Sequence, residues 1–447
     1  MQIFYQILEV INYVVIGICT LSMAFQLIMI LFFWLPEKKF KESSDYHRIA
    51  LLICARNESA VIGETIRDIL EHQDYPKDKY DIFVVADNCT DDTAKKAEEA
   101  GATVFVHTDE DPSHHRVAYP LAYGIRKILE TKNYDFIIRI DADNLLKEDY
   151  FRRMNDAFVS GVEIARPFEA SRNPTQNTWA TVSATYYMRD SFIACNFREF
   201  FHLDSMLTGA GMMLSTKMLE SIGGWDAFTS SEDAEFTCKR LCEKKRVRYV
   251  SDAVVYEDMP SSLKDTHIRN ARMGNGLHRV FWKDGWKMLG HFFVSGRWSN
   301  VDLFVQLLVV PMAVLCCLWF PAYYVFYAIA HIINMVGPEW LGTIYALDGS
   351  LLTAAKSASL LFDMLLPMIG IVLGTYLVIY PFQTWIAVMR SKKKLGMKNL
   401  KGYKRGILLS SLLMILEAVS ITYGVLSNAG WKSVRRNVKK KDKPSEN

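Results

Sequence analysis

The sequence has no Lys or Arg in its first ten residues, MQIFYQILEV, and no charged side chain in the 25 positions from 11 to 35. The lack of basic residues at the start argues against a secretory signal peptide, which begins with a positively charged region. A run of 25 uncharged positions is long enough for a helix to cross the roughly 30 Å hydrocarbon core of a bilayer. Residues 1–35 are therefore predicted to be an N-terminal transmembrane anchor.

The sequence also lacks the two common glycine motifs that bind nucleotide phosphates. No G-x-G-x-x-G follows the first predicted strand and no G-x-x-x-x-G-K-[ST] is present, which excludes the dinucleotide fingerprint and the P-loop. The eight cysteines provide no zinc site, because Cys238 and Cys242 lie one helical turn apart without a second Cys or His pair nearby. We interpret the cysteines as packing residues of a reduced environment.

Apolar residues and charges divide the chain into regions. Residues 36–276 have the composition of a water-soluble domain, and residues 277–300 have an amphipathic pattern typical of a membrane-interface segment, with a core helix as the alternative. Apolar runs at 303–335, 365–389 and 406–426 predict three or four transmembrane segments within residues 301–430, and a basic tail covers residues 431–447.

Basic residues at the membrane edges indicate the topology. EKKFK directly after the first span places the central domain in the cytosol by the positive-inside rule. The last apolar run is flanked by basic stretches on both sides, so a single crossing or a re-entrant segment that contains Glu417 is left open. These same residues explain the net charge of +3, so no nucleic acid partner is expected.

The central region alternates strands and helices, as in a parallel α/β domain. Buried strands are predicted at residues 49–54, 82–85, 102–107 and 136–140, with helices between them. In open sheets of this kind, ligands bind at the C-terminal ends of the strands. The polar residues at three of these ends are Arg56, Asn57, Glu58, Asp87, Asn88, Asp141 and Asp143.

Asp141 and Asp143 form a D-x-D pair. Two neighbouring carboxylates stay ionised at neutral pH most readily when a divalent cation neutralises them, and Mg²⁺ or Mn²⁺ suits oxygen ligands. Substrate phosphates usually complete the shell of such a cation, so a diphosphate is the expected partner. The alternative is a solvated turn between a strand and a loop.

Six stretches, in this order, carry a family resemblance. CARNE, VVADNCTDD and IIRIDADN end three strands, and LTGAGMMLS, SSEDAEFTCKR and YEDMPSSLKD follow downstream. Over about residues 48–280, this pattern resembles the family 2 glycosyltransferases, which have the GT-A fold. With its membrane segments, the chain is similar to cellulose, hyaluronan, chitin and poly-N-acetylglucosamine synthases. The resemblance implies a cytosolic α/β domain with a Rossmann-like, mostly parallel sheet, embedded between an N-terminal and several C-terminal transmembrane helices.

The resemblance also implies roles for individual residues. Asp233 would be the general base for the acceptor hydroxyl, and an N-cap at Ser230 or Ser231 would place it at a helix N-terminus, whose dipole favours the ionised form. Dipole complementation alone is the alternative for Glu232 and Asp233. Asp143 would bind the divalent cation, with Asp141 near it. The nucleotide and donor sugar would contact Ala55, Arg56, Glu58, Asp87 and Asp141, and the acceptor side would include Gly209, Gly211 and Glu232.

One family element departs from its usual sequence. The Q-x-x-R-W of the polymer synthases falls on residues 269–273, where Arg269 replaces Gln, Met273 replaces Trp, and Arg272 is retained. Arg272 is expected to bind the donor diphosphate, with a charged helix surface as the alternative. Met273, on the acceptor side, cannot stack on a sugar as tryptophan does, which puts processive polymerisation in question.

Three functions are compatible with these residues. The first is inverting, metal-dependent transfer from a UDP-sugar to the hydroxyl of a growing β-linked polysaccharide. The second is transfer of a single sugar to a lipid carrier or glycolipid, which the missing tryptophan favours. The third is a catalytically silent membrane subunit of a synthase, against which the intact carboxylates argue. The expected partners are a nucleotide sugar, a glycan or lipid-linked acceptor, the lipid bilayer of the cell membrane and, in some settings, accessory subunits.

Overall fold

A computed structural model describes residues 2–336, 374–397 and 399–429. These residues contain an eight-stranded sheet, whose strands are β1 Ile49–Ala55, β2 Tyr80–Asp87, β3 Thr103–His107, β4 Phe136–Asp141, β5 Leu145–Leu146, β6 Ile164–Ser171, β7 Met212–Ser215 and β8 Val247–Glu257. Their order across the sheet is β3-β2-β1-β4-β7-β6-β8-β5.

Helices cover the sheet and continue beyond it in both directions along the chain. They are α1 Gln2–Ile30, α2 Ile62–His72, α3 Thr93–Glu99, α4 Ala118–Thr131, α5 Tyr150–Val159, α6 Thr178–Arg189, α7 Asn196–Phe200, α8 Thr216–Ser221, α9 Glu232–Cys242, α10 Leu263–Val280, α11 Trp286–Ser295, α12 Trp298–Val336, α13 Tyr380–Ser391 and α14 Lys404–Leu426. π-helical turns at Asp190–Cys195 and Phe281–Gly285 join α6 to α7 and α10 to α11.

The first four strands are parallel, as the sequence predicts. β1 lies between β2 and β4, and β3 pairs with β2. Their apolar runs are continuous because both faces of the sheet are covered. Leu51 belongs to the core cluster that contains Ile66 of α2, whereas its neighbour Leu52 belongs to the cluster that contains Ile125 of α4.

The second half of the sheet is mixed. β7 pairs antiparallel with β4 and β6, while β8 pairs parallel with β6 and antiparallel with β5. Four of the seven strand pairs are therefore parallel, so the parallel majority expected from the sequence is narrow. The sequence does not reveal this half because β7 has four residues and β5 has two, which is too short for a periodic pattern.

Two helices of the described residues are long and apolar enough to cross a membrane, Trp298–Ile333 and Lys401–Leu426. They coincide with the predicted runs at 303–335 and 406–426. Pro311 and Pro321 lie inside α12 without ending it, as happens where neighbouring groups satisfy the backbone that a proline frees.

The remaining membrane predictions are covered only in part by the described residues. The predicted anchor is helical from Gln2 to Ile30. The second apolar run is described from residue 374, and its residues 365–373, like the predicted basic tail at 431–447, lie outside the described residues. Arg198 of α7 and Asp302 of α12 form a buried ion pair, with N–O distances of 2.6 and 3.2 Å, that fixes α12 to the central domain.

Helix α10 is held closely against α14. A Cβ atom on Gly424 of α14 would lie 2.0 Å from the carbonyl oxygen of Ala271, and one on Gly274 would lie 2.7 Å from the side chain of Ile421. Only glycine permits backbones to approach this closely. The helix that carries Arg272, α10, thus packs directly against the membrane-length helix α14.

Candidate active site

The loops after β1 and β2 are joined to each other at the C-terminal edge of the sheet. Asn57 and Asn88 have positive φ values of 56° and 46°, a left-handed conformation that asparagine tolerates better than most residues. The Asn57 side-chain oxygen accepts a hydrogen bond from the Thr90 amide at 2.8 Å, which ties the two loops together. The predicted nucleotide contacts on these loops are Ala55, Arg56, Glu58 and Asp87.

Asp87 is buried, and a histidine of the neighbouring strand holds its carboxylate. His107 Nδ1 lies 2.7 Å from Asp87 Oδ1, and the Asn88 side-chain nitrogen donates to the same oxygen at 3.1 Å. The contact follows from the parallel register of β2 and β3, in which Asp87 stands opposite His107. His107 was not predicted as a site residue, although its position at the end of the third predicted strand is a signal for it.

The first carboxylate of the D-x-D pair is bound to a buried arginine. Asp141 Oδ1 lies 2.7 Å from Arg139 Nη2, and the Arg139 side chain is 4% exposed whereas that of Asp141 is 41% exposed. The Asp141 amide donates to the Asn144 side chain at 2.9 Å and fixes the turn. Arg139 was also missed from the sequence, where its signal is a single charge inside an apolar strand.

The end of β8 brings a third carboxylate towards the D-x-D pair. β5 begins two residues after Asp143 and pairs with β8 near its end. Burial and the charges of nearby acids, including Asp141 and Asp143, raise the pKa of Glu257 to about 8. Arg269 partly offsets this effect, with its Nη2 3.2 Å from Glu257 Oε2.

The D-x-D carboxylates suit a divalent cation that substrate oxygens complete. Among the described residues there is no group of three or more His, Cys, Asp or Glu side chains that could hold a metal ion. Asp141 and Asp143 are both partly exposed. Mg²⁺ bound by one or two carboxylates and by substrate phosphates needs no further protein ligand. The donor set therefore fits a cation that binds together with a diphosphate.

Two acids, Glu232 and Asp233, begin α9. Ser231 is the N-cap residue, as one predicted choice had it, but its side chain makes no capping hydrogen bond. Glu232 is 6% exposed, and burial together with the neighbouring Asp233 charge raises its pKa to about 8. Burial also raises the pKa of Asp233, while the Ala234 amide, 2.8 Å from Asp233 Oδ1, favours its ionised form. One negative charge is thus favoured over two in this pair.

Glu235 fixes the loop that precedes these acids. Its Oε2 accepts hydrogen bonds from the Phe228 and Thr229 amides at 3.0 and 2.8 Å, and Lys283 Nζ lies 2.6 Å from its Oε1. Burial opposes ionisation, but the hydrogen bonds from Lys283 and Thr229 lower the pKa of Glu235 to about 2. Glu235 is therefore ionised at neutral pH and was not predicted as a site residue.

The two acceptor-side glycines are required for different reasons. Gly211 has a φ of +72°, and a Cβ atom there would lie 2.5 Å from the Tyr150 hydroxyl. Gly209 has no such backbone requirement, but a Cβ atom there would lie 2.4 Å from Nη1 of Arg139. The glycine motif therefore contacts the same arginine that binds Asp141.

Helix α10 passes the N-terminus of α9 at close range. A Cβ atom on Gly276 would lie 2.2 Å from Ser231 Oγ. Burial lowers the pKa of Arg272, one turn earlier, and the nearby Glu232 carboxylate opposes this effect. Within the described part of the chain, no carboxylate oxygen lies within 4.0 Å of the Arg272 guanidinium nitrogens, so this cation is available to an anion. Met273, the next residue, is 37% exposed.

The sequence matches the family model described as Glycosyltransferase like family 2 over residues 47–276, just over half of the chain. The chain belongs to the family 2 glycosyltransferases. The matched region of this glycosyltransferase is a GT-A-like mixed α/β domain, and it contains the strand-end acids, the acids of α9 and Arg272.

Curated relatives of this glycosyltransferase make a glycolipid or a polysaccharide, by their names. The Beta-monoglucosyldiacylglycerol synthase of Synechocystis sp. is 23% identical over an alignment of 272 residues. The match covers 54% of this chain and 52% of the relative. The Poly-beta-1,6-N-acetyl-D-glucosamine synthase of Staphylococcus aureus is 22% identical over 264 residues, 58% of this chain and 59% of the relative. The chain spans about half the length of the curated relatives that it matches.

Among solved structures, the mannosyltransferase PcManGT from Pyrobaculum calidifontis, in complex with GDP-Man and Mn²⁺, is similar with a TM-score of 0.53 and 16% identity. The match covers 90% of this chain and 98% of the other. At this level of identity, the similarity supports the fold.

Proposed function

We propose that this glycosyltransferase is an inverting, metal-dependent enzyme that transfers a sugar from a nucleotide sugar to an acceptor hydroxyl at the membrane. The observation that carries the proposal is the closeness of the D-x-D pair to the acids of α9 and to the Arg272 guanidinium, which pairs with no carboxylate among the described residues. The charge of Asp141 acts on both Glu232 and Arg272. A diphosphate cation site and a candidate base therefore face one crevice.

On the donor side, each group has a separate task. Ala55, Arg56, Glu58 and Asp87 bind the nucleoside. Asp143 would hold the cation, with Asp141 near it. One oxygen of Asp141 is bound to Arg139, and this residue would also contact the donor sugar. Bound Mg²⁺ or Mn²⁺ supplies positive charge to the leaving diphosphate. Arg272 binds the same diphosphate, for which a planar guanidinium is suited.

On the acceptor side, Asp233 accepts the proton of the attacking hydroxyl. It is the more exposed of the two acids, and the α9 amides favour its ionised form. Glu232, with a pKa of about 8, remains largely protonated near neutral pH and so does not repel the Asp233 carboxylate. Attack from the face opposite the diphosphate inverts the anomeric carbon.

We propose a UDP-sugar as the donor and a growing β-linked polysaccharide as the acceptor, the reaction class of the S. aureus relative by its name. Transfer of a single sugar to a lipid acceptor is the second candidate, because Met273 replaces the stacking tryptophan and the Synechocystis relative is named as a glycolipid synthase. A silent synthase subunit is the third.

The helices outside the domain support a multi-pass membrane location with a cytosolic domain at residues 36–276. α1 and α12 run antiparallel, with the Tyr327 hydroxyl donating to Glu9 and Trp319 Nε1 donating to Asn12 at 3.2 Å. Large apolar side chains of both helices point outward, including Val325 at 58% exposure. Polar groups inside and apolar groups outside are the pattern expected in a bilayer.

The interfacial assignment of residues 277–300 has similar support. The Trp282, Trp286 and Phe293 side chains are 58%, 50% and 83% exposed, which suits a segment lying at the bilayer surface. We accordingly place the membrane region at residues 301–430, directly after this segment. The anchor at residues 1–35 contacts the first helix of this region, α12.

The deciding experiment is nucleotide release by the purified full chain with Mn²⁺ and a panel of UDP- and GDP-sugars, followed by sizing of the product. A ladder or polymer supports polysaccharide synthesis, and one discrete lipid product supports single transfer. Release of no nucleotide from any donor, with Asp233→Asn without effect in cells, supports the silent subunit.

A further inference from the structure

Arg139 is a buried cation beside the D-x-D pair. It binds Asp141 at 2.7 Å, and within the described residues its Nε has no hydrogen-bond partner. A guanidinium in this position offsets the charge of Asp141, which would otherwise repel an incoming diphosphate.

Gly209 explains how the guanidinium fits. A Cβ atom at residue 209 would lie 2.4 Å from Arg139 Nη1 and 3.4 Å from Cζ. Gly209 is not among the glycines with positive φ, so alanine would meet no backbone strain there. The side chain of Arg139, and not the backbone conformation, therefore requires glycine at this position.

We propose that Arg139 is a positioning residue that fixes Asp141 on the donor side and depends on Gly209 for its place. The proposal rests on the transferase function proposed above. Asp141 is the donor-side partner because the ion pair orients one of its oxygens and leaves the other to the ligand.

The test uses Arg139→Met, Arg139→Lys, Gly209→Ala and the double variant Gly209→Ala/Arg139→Lys, in the full chain. Arg139→Met should lower kcat/KM about 100-fold with a higher donor KM, and Arg139→Lys should recover about tenfold of this loss. Gly209→Ala should cost about tenfold beside arginine but less than about twofold beside lysine, which lacks the branch that the new methyl group meets. Gly290→Ala, whose Cβ meets nothing within 4 Å, is the control and should match the wild type.

The effect of Gly209→Ala should depend on whether residue 139 is arginine or lysine. A general loss of stability would not produce this coupling between positions 139 and 209. If Gly209→Ala costs the same factor beside arginine and beside lysine, or if Arg139→Met retains wild-type kcat and donor KM, the proposal is overturned. If Arg139→Met does not fold, the other three variants decide by the same coupling.

Binding of UDP with Mn²⁺, and of GDP with Mn²⁺, should be measured by calorimetry on the same variants. If the wild type binds either diphosphate but releases nucleotide from no donor, the transferase proposal fails. The coupling between 139 and 209 in Kd then still decides the role of Arg139 at Asp141. A wild type that binds neither diphosphate overturns both proposals.

Discussion

At the residue scale, the two acids that begin α9 should differ in their importance for turnover. Asp233→Asn removes the proposed base, so kcat should fall about 10²- to 10⁴-fold, the usual contribution of a general base. Glu232→Gln should cost far less near neutral pH, because glutamine copies the protonated form that a pKa of about 8 favours. Nucleotide release at saturating donor measures both. Equal losses for the two variants would contradict the assignment of Asp233.

Glu232 should also make the stability of the fold depend on pH. Its pKa of about 8 in the folded protein lies above the ordinary value of 4.5. The contribution of Glu232 to the stability of the fold is therefore complete below the ordinary pKa. It is lost as the pH rises through the pKa that Glu232 has in the folded protein. The free energy of unfolding of the wild type should decline between about pH 4.5 and about pH 8, and Glu232→Gln should flatten this decline. Chemical unfolding in detergent at a series of pH values measures how steeply the free energy of unfolding depends on pH. Glu148→Gln, at an exposed position, is the control. Equal pH dependence for Glu232→Gln and wild type would contradict the prediction.

At the element scale, the packing of α10 on α14 should be sensitive to one methyl group. Gly424→Ala would bring a Cβ atom to 2.0 Å from the Ala271 carbonyl oxygen. The two helices must then separate, with a cost of about 1–3 kcal/mol typical of overpacking. A lower Tm in detergent, together with weaker diphosphate binding through Arg272, is expected.

The control for this prediction is Gly17→Ala in α1, where a new Cβ meets nothing within 4 Å. It adds the same methyl group to another apolar helix and should leave Tm unchanged. If Gly424→Ala behaves like Gly17→Ala, α14 does not back α10 in the way the structure indicates.

Elements differ in how far the sequence predicted them, for physical reasons. β1, β2 and β4 have both faces buried, so their apolar runs are visible without any knowledge of neighbours. β7 and β5 are held by pairing with distant strands, which a short segment does not record in its own composition. The D-x-D and the acids of α9 were predicted through local motifs.

Arg139, His107 and Glu235 were missed because their roles arise from contacts across the fold. Arg139 meets Gly209, which lies 70 positions further along the chain. His107 meets Asp87 through strand register, and Glu235 acts on loop amides that carry no side-chain signal. Each is a charged or polar residue placed where composition alone indicates a strand or a helix.

At the scale of the whole molecule, the proposed topology predicts which side of the membrane a protease reaches. In intact spheroplasts, trypsin should leave the central domain uncut, because residues 36–276 are proposed to be cytosolic. Permeabilised cells should show cleavage at the exposed basic residues of this region. Detection with an antibody against the central domain measures both, and cleavage in intact cells would contradict the proposed orientation.

The contact of Gly276 with Ser231 has a consequence for any attempt to separate catalysis from anchorage. α14 supports α10, and α10 in turn lies against the residue before Glu232. Ending the chain before Trp298 to obtain a water-soluble transferase would remove this support and expose the carbonyl of Ala271. The proposed active site and the membrane-length helix α14 are thus joined through α10, and the smallest active fragment is expected to include α14.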